Sequence, residues 1–196
     1  MNSIKLKTLA LITMTAFCQT ASAHTGLLPT GGLADGFVHP FLGLDHLLVM
    51  LGVGLWAGSQ APHAAGRIVA IFLLYMLGGA LLAMHGVQFA YIESAILLSL
   101  LAIGGLLAVG RLRLSEAGCA ALIAVSGALH GMAHGGEIPV TASAYGYLPG
   151  MMAATGLLHG LGLSGSLLLR KGNAAVLTRI YGGVTGAIGA WLLFSA

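Results

Sequence analysis

Apolar runs of about membrane-spanning length repeat along the chain, separated by short polar breaks. They cover roughly 37–58, 65–85, 91–110, 115–135, 143–169 and 174–195. Each is near the roughly 20 residues that a helix needs to cross a bilayer. Helix is the expected form, because backbone polar groups in hydrocarbon must be satisfied within the segment. The pattern predicts an all-α membrane protein, a compact bundle of six transmembrane helices with no extramembrane domain. Pro149-Gly150 is expected to kink or delay the start of the fifth helix. Small residues at four-residue spacing mark expected sites of close helix approach: Gly127, Gly131 and Gly135; Gly156 and Gly160; Gly182 and Gly186.

Composition agrees with this pattern. The 196 residues are 58% hydrophobic and 7% charged, against about 25% charged in a soluble domain. Such a chain cannot cover a water-facing surface. It has no basic patch with interleaved aromatics, so nucleic-acid binding is excluded. No Walker A pattern is present, so no ATP hydrolysis through a P-loop is expected.

The N-terminus reads as a targeting segment. Lys5 and Lys7 precede the short apolar run Leu9 to Phe17, and Ala21-Ser22-Ala23 follows. A basic n-region, a short h-region and an A-x-A site describe a cleaved signal peptide, residues 1–23. An uncleaved first helix is the competing reading, and the run is short for one. Bulky Phe17 argues against a lipidation site at Cys18. The mature domain, 24–196, then keeps only Cys119 and can form no intrachain disulfide.

Basic residues orient the bundle. Arg67 lies between the first and second segments, Arg111 and Arg113 between the third and fourth, and Arg170, Lys171 and Arg179 around the connection of the fifth and sixth. The connections 86–90 and 136–142 carry no Lys or Arg. All mature basic residues fall on one side, the cytoplasmic side by the positive-inside rule. Both mature termini are then periplasmic, as a cleaved signal peptide also requires.

Polar residues within the apolar runs carry the chemistry. His39, Asp45 and His46 fall in the outer half of the first segment; His130, His134 and Glu137 at the outer end of the fourth; His159 near the middle of the fifth. Titratable groups in hydrocarbon are costly and mark pathways or bound ions. Imidazole and carboxylate together suit divalent transition metals. On a straight helix His39 and His46 share one face roughly 10 Å apart, which predicts successive stations for an ion. Asp45 and His46 point about 100° apart, so that one binds while the other orients a partner. His130 and His134, one turn apart, can share one ion. Met50 offers a thioether one turn inward of His46. After cleavage His24 becomes N-terminal, and its amine and imidazole can chelate one ion together. His63, in a cytoplasmic loop, reads as solvated, and Glu116 as a helix N-terminal acid.

The motif His39-Pro40-x-x-Gly43-x-Asp45-His46, with Met50 following, resembles the signature of the HupE/UreJ family of membrane nickel/cobalt transporters. His130-Gly131-x-Ala133-His134-Gly135-x-Glu137 is similar to that family's second His-rich motif, and Ala154-Thr155-x-x-Leu158-His159 to a third. Leu129 stands where an aromatic is common. The resemblance covers essentially the whole mature chain. It implies a permease, not an enzyme, and metal-binding roles for His39, Asp45, His46, His130, His134, Glu137 and His159. The expected function is secondary transport of Ni²⁺, or Co²⁺, from periplasm to cytoplasm across a bacterial inner membrane. The ion is a bound substrate, and no cofactor is expected. Asp45 is expected as the central ligand, with His46, His130 and His159 completing an inner site. His39, His134 and Glu137 are expected to capture the ion at the mouth. The expected partners are the metal ion and the bilayer, with a homo-oligomer left open. An intramembrane metal-dependent hydrolase and a metal sensor or accessory subunit are the alternatives.

Overall fold

The computed structural model describes residues 32–110, 115–138, 143–171 and 175–195. The signal peptide, His24, Arg111 and Arg113 lie outside these residues. The described residues form seven helices: α1 (Leu33–Leu42), α2 (Leu44–Ser59), α3 (Pro62–Met84), α4 (Ile92–Val109), α5 (Glu116–Gly136), α6 (Ala144–Lys171) and α7 (Ala175–Ser195). Five of them, α3 to α7, are long and apolar enough to cross a membrane. Their bounds agree with the hydropathy pattern to within about a turn. Large apolar side chains such as Leu74, Leu168, Val176 and Phe194 are exposed on the outside of the bundle, as expected of surface that faces lipid.

The first apolar run departs from expectation. It is not one helix but two, α1 and α2, bent by 88° at Gly43. Pro40, inside α1, has no N–H and crowds the preceding turn. Gly43 adopts an extended conformation that ends α1 and opens α2, and its carbonyl accepts from the N–H of Leu47 at 2.9 Å. With 16 residues, α2 is about 24 Å long. The pair can count together as one broken span, which would make six.

The other boundaries follow local chemistry. α3 starts with Pro62 in its first turn, where the missing N–H costs nothing. α5 is capped by Ser115, whose hydroxyl accepts from the N–H of Gly118 at 3.1 Å. α4 ends on Gly110, at φ 66°. Pro149 does not delay α6, which begins at Ala144 and runs through it.

Glycines set the packing. A Cβ on Gly127, Gly131 or Gly135 of α5 would lie 2.5, 1.9 or 2.4 Å from the carbonyl oxygens of Phe72, Met76 and Ala80 of α3. Residue numbers rise together along both helices, so α3 and α5 are parallel. α2 and α6 are also parallel: Gly54 lies against the His159 carbonyl, and Gly58 against that of Leu163. α4 and α7 run antiparallel, with Gly104 against Gly186 and Gly182 against Ala108. This arrangement is the strict up-and-down alternation of the helices. It puts Arg67, Arg170, Lys171 and Arg179 at one end and the His-rich helix ends at the other. α1 lies across the start of α6, with Gly36 against the Tyr147 carbonyl and Gly150 against that of Leu33.

The expected close approach at Gly156 and Gly160 does not occur. A Cβ at Gly156 would meet only Leu73 at 4.0 Å, and one at Gly160 would meet nothing within 4 Å. On α6 the contacts are made by Gly150 and Gly162, because those positions face α1 and α2. Gly131→Ala is therefore expected to destabilise the protein by about 1–3 kcal/mol through overpacking. Gly160→Ala is expected to be neutral or slightly stabilising, since Ala is the better helix former. Thermal denaturation of both variants in detergent checks this; equal melting temperatures would disprove the α3–α5 contact.

Candidate metal centre

The site begins at the bend. Asp45 lies in the first turn of α2, where the backbone N–H groups lack helical partners. Its Oδ1 accepts from the His46 N–H at 2.9 Å and pairs with His46 Nδ1 at 2.9 Å. A carboxylate only accepts, so Nδ1 carries a proton, and in the neutral ring Nε2 keeps its lone pair. The pair needs the space left by Gly43: a Cβ there would sit 2.8 Å from His46 Nδ1 and 3.0 Å from Asp45 Oδ1.

Two deeper histidines are held in the same way by their own helices. His130 Nδ1 lies 2.8 Å from the Ser126 carbonyl, and His159 Nδ1 lies 2.7 Å from that of Thr155. Carbonyls accept, so both rings are Nδ1–H tautomers. The Nε2 atoms of His46, His130 and His159 are buried and make no hydrogen bond within the described residues. Orienting one ring nitrogen while baring the other is the arrangement that metal-ligating histidines use. His134 is fully buried, and neither of its ring nitrogens is hydrogen-bonded within the described residues.

Nearer the surface, His39 of α1 meets Glu137, just beyond α5, with Nε2 to Oε2 at 3.0 Å. His134 Nδ1 is 4.0 Å from the same oxygen. Ligand atoms of His39, His134 and Glu137 all lie within 4.8 Å of one another. Bonds of about 2 Å in a tetrahedron put ligands about 3.3 Å apart, so small side-chain shifts would close this trio on one ion. The ion would take the place of the proton between His39 and Glu137.

The rings form a continuous row. Centroid distances are 5.7 Å from Tyr147 to His39, 4.8 Å from His39 to His134 and 4.4 Å from His134 to His46. From His46 to His130 the distance is 5.1 Å. Phe72 of α3 follows, 5.8 Å from His130 and 4.7 Å from His159. The His39 and Glu137 side chains are 15–17% exposed, whereas His46 is nearly buried and His134, His130 and His159 are fully buried. An open cavity of about 720 Å³ lies at the outer end, lined by Met84, Gln88, Glu93, Met132 and Glu137 among others. Glu137 belongs to both the cavity and the trio, so the cavity leads to the row.

The bend revises the expected geometry in two respects. His39 and His46 are not separate stations along a straight helix; both rings contact His134. Asp45 and His46 do not diverge, since they are bonded to each other. His39, His134 and Glu137, expected together at the mouth, do lie within reach of one another. The inner grouping is divided, with Phe72 next to His159. Met50 is buried in the core. Phe72 has no distinguishing sequence signal, because a core Phe looks like any other buried apolar residue. His63 and Glu116 line a smaller cavity of about 260 Å³ at the opposite end, where Glu116 pairs with Arg67 at 2.9 Å.

The sequence profile described as HupE / UreJ protein matches residues 12–192. The chain belongs to the HupE/UreJ family. It is 39% identical to Protein HupE of Rhizobium leguminosarum bv. viciae over 174 residues, 88% of this chain and 90% of that one. No solved structure matches it. The HupE/UreJ match spans all three His motifs and all seven helices except the last residues of α7. With its apolar helices it makes the chain a multi-pass membrane protein.

Gly43→Ala forces a Cβ into the Asp45–His46 pair while leaving every donor atom in the chain. It is expected to weaken divalent-metal binding by about 10–100-fold, the usual effect of disturbing a ligand's support. Calorimetric titration of the purified variant with Ni²⁺ checks this; wild-type affinity would show that the pair is not needed.

Proposed function

We propose that the protein is a secondary permease that carries a divalent transition metal, Ni²⁺ first and Co²⁺ second, inward through the membrane. The observation that carries this reading is the row of imidazoles, three of which have Nδ1 anchored to oxygen and Nε2 bare and buried. Bare nitrogens in a membrane bundle are costly, and a passing metal ion is what would satisfy them. The family membership supports the same reading, as its members resemble nickel/cobalt transporters. A row that changes from partly exposed to fully buried suits stepwise handover better than hydrolysis at one fixed ion, so we read the protein as a carrier and not an enzyme.

The basic residues gathered at one end of the bundle support a cytoplasmic location for that end. The cavity at Glu137 then opens to the periplasm of a bacterial inner membrane. His39, His134 and Glu137 capture the ion; His46 and His130 receive it; His159 holds it deepest. Asp45 acts through His46, fixing its tautomer and offsetting part of the cation's charge. Its other oxygen remains available to the ion.

Radiolabelled nickel uptake into proteoliposomes tests the proposal. Flux above that of empty vesicles, competed by Co²⁺, is expected; binding without flux would overturn the carrier reading in favour of a sensor. In the same assay Asp45→Asn is expected to cut uptake about 10–100-fold while the protein stays monodisperse. Unchanged uptake would remove Asp45 from the path.

Proton competition fixes the sign of the pH dependence. A protonated imidazole has no lone pair to offer. At fixed membrane potential, uptake is therefore expected to fall as the outside is acidified. A rise on acidification would replace ligand competition with proton-coupled transport.

A further inference from the structure

Every ring in the row from His39 to His159 is an imidazole except Phe72, which cannot ligate a metal. It is fully buried and lies against both His130 and His159. The cavity of about 260 Å³ at the opposite end reaches inward to Ile68 and Ile123. Ile68 is one turn before Phe72 on α3, and Ile123 is one turn before Gly127 on α5, the residue that packs on the Phe72 carbonyl. Phe72 therefore stands between the two: its ring lies 5.8 Å from that of His130, and it follows Ile68 of the inner cavity by one helical turn, about 5.4 Å.

The backbones at this level are fixed. The Phe72, Met76 and Ala80 carbonyls fill the places of the absent Cβ atoms of Gly127, Gly131 and Gly135. The His159 carbonyl is held likewise, 2.2 Å from where a Cβ of Gly54 would lie. Sliding α3 past α5, or α6 past α2, would break these contacts along several turns. Turning the Phe72 ring about its two side-chain torsions would not.

We propose that Phe72 is an aromatic gate dividing the path into two stations, His46 and His130 (with His134) on the outer side and His159 on the inner side. The proposal rests on the reading of the protein as a metal carrier. With the ring in place, the apolar constriction holds no continuous water file and stops hydrated ions and protons. An ion already stripped of water by imidazoles passes when the ring turns, leaving His130 Nε2 for His159 Nε2. The gate thus lets the path be lined with proton-binding groups without becoming a proton leak.

The test uses the full chain in proteoliposomes, with Phe72→Trp, Phe72→Leu and Phe72→Ala. Phe72→Trp is expected to bind Ni²⁺ in detergent within about twofold of wild type but to take it up at least tenfold more slowly. Proton entry, followed with a trapped pH dye under a valinomycin–potassium potential and with no metal present, is expected to rise from wild type through Leu to Ala. The Ala vesicles should leak at least tenfold faster than wild type. Wild-type uptake in Phe72→Trp would overturn the gate, as would Leu or Ala vesicles as proton-tight as wild type. The leak measurement needs no metal, so it decides on the gate even if the wild-type protein moves no nickel and the carrier reading fails.

Discussion

Backbone-to-backbone contact between helices is the constraint on which the rest of this structure depends. Gly127, Gly131 and Gly135 bring α5 against the carbonyls of α3, and Gly54 and Gly162 do the same for α2 and α6. Rings from α1, α2, α3, α5 and α6 can touch only because these helices are so close. Lipid gives no hydrophobic drive for helices to associate, so the contacts must come from packing, which small residues allow. The polar row is in this sense a product of the apolar packing around it.

The row has its own energetic logic. Leaving a buried nitrogen without a partner costs about 1–3 kcal/mol. His46, His130 and His159 each reduce that cost by bonding Nδ1 to an oxygen, and retain it at Nε2. The same bonds fix the tautomer, so the lone pair always faces away from the anchoring oxygen. A site that were fully satisfied without an ion would have no reason to take one up. Incomplete satisfaction here is a local conflict of the kind found at functional sites.

The bend at Gly43 ties these features together. It turns α1 by 88° and sets His39 beside His134 and Glu137. It also leaves room for the Asp45–His46 pair where a larger residue would collide. One position therefore shapes both the contact of His39 with His134 and Glu137 and the Asp45–His46 pair. Pro40, three residues earlier, contributes to the same break. Discontinuous helices near binding sites recur in transporters for this reason: they free polar groups at depth while the backbone stays satisfied.

Much of this was legible in the sequence. Apolar run lengths gave α3 to α7 within about a turn, because crossing a bilayer imposes a length. The one-sided placement of Arg67, Arg170, Lys171 and Arg179 matches the end at which the alternating helices put them. His39, His134 and Glu137 were readable as a mouth group, because their positions follow from depth along helices. What spacing could not give was anything that depends on which helices meet. Gly156 and Gly160 have the spacing of a packing motif yet face away from neighbours, while Gly150 and Gly162 make the contacts. A straight helix would separate His39 from His46, and the bend joins them through His134. Phe72 looked like any core residue, because only the pairing of α3 with α5 puts its ring between His130 and His159. The sequence by itself determined where the five long apolar helices run, how deep each donor lies along them and which end is basic, since those follow from local periodicity and the thickness of the bilayer. Tertiary structure alone decided which polar side chains meet and what stands between them, because helix pairing sets contacts between residues far apart in the chain.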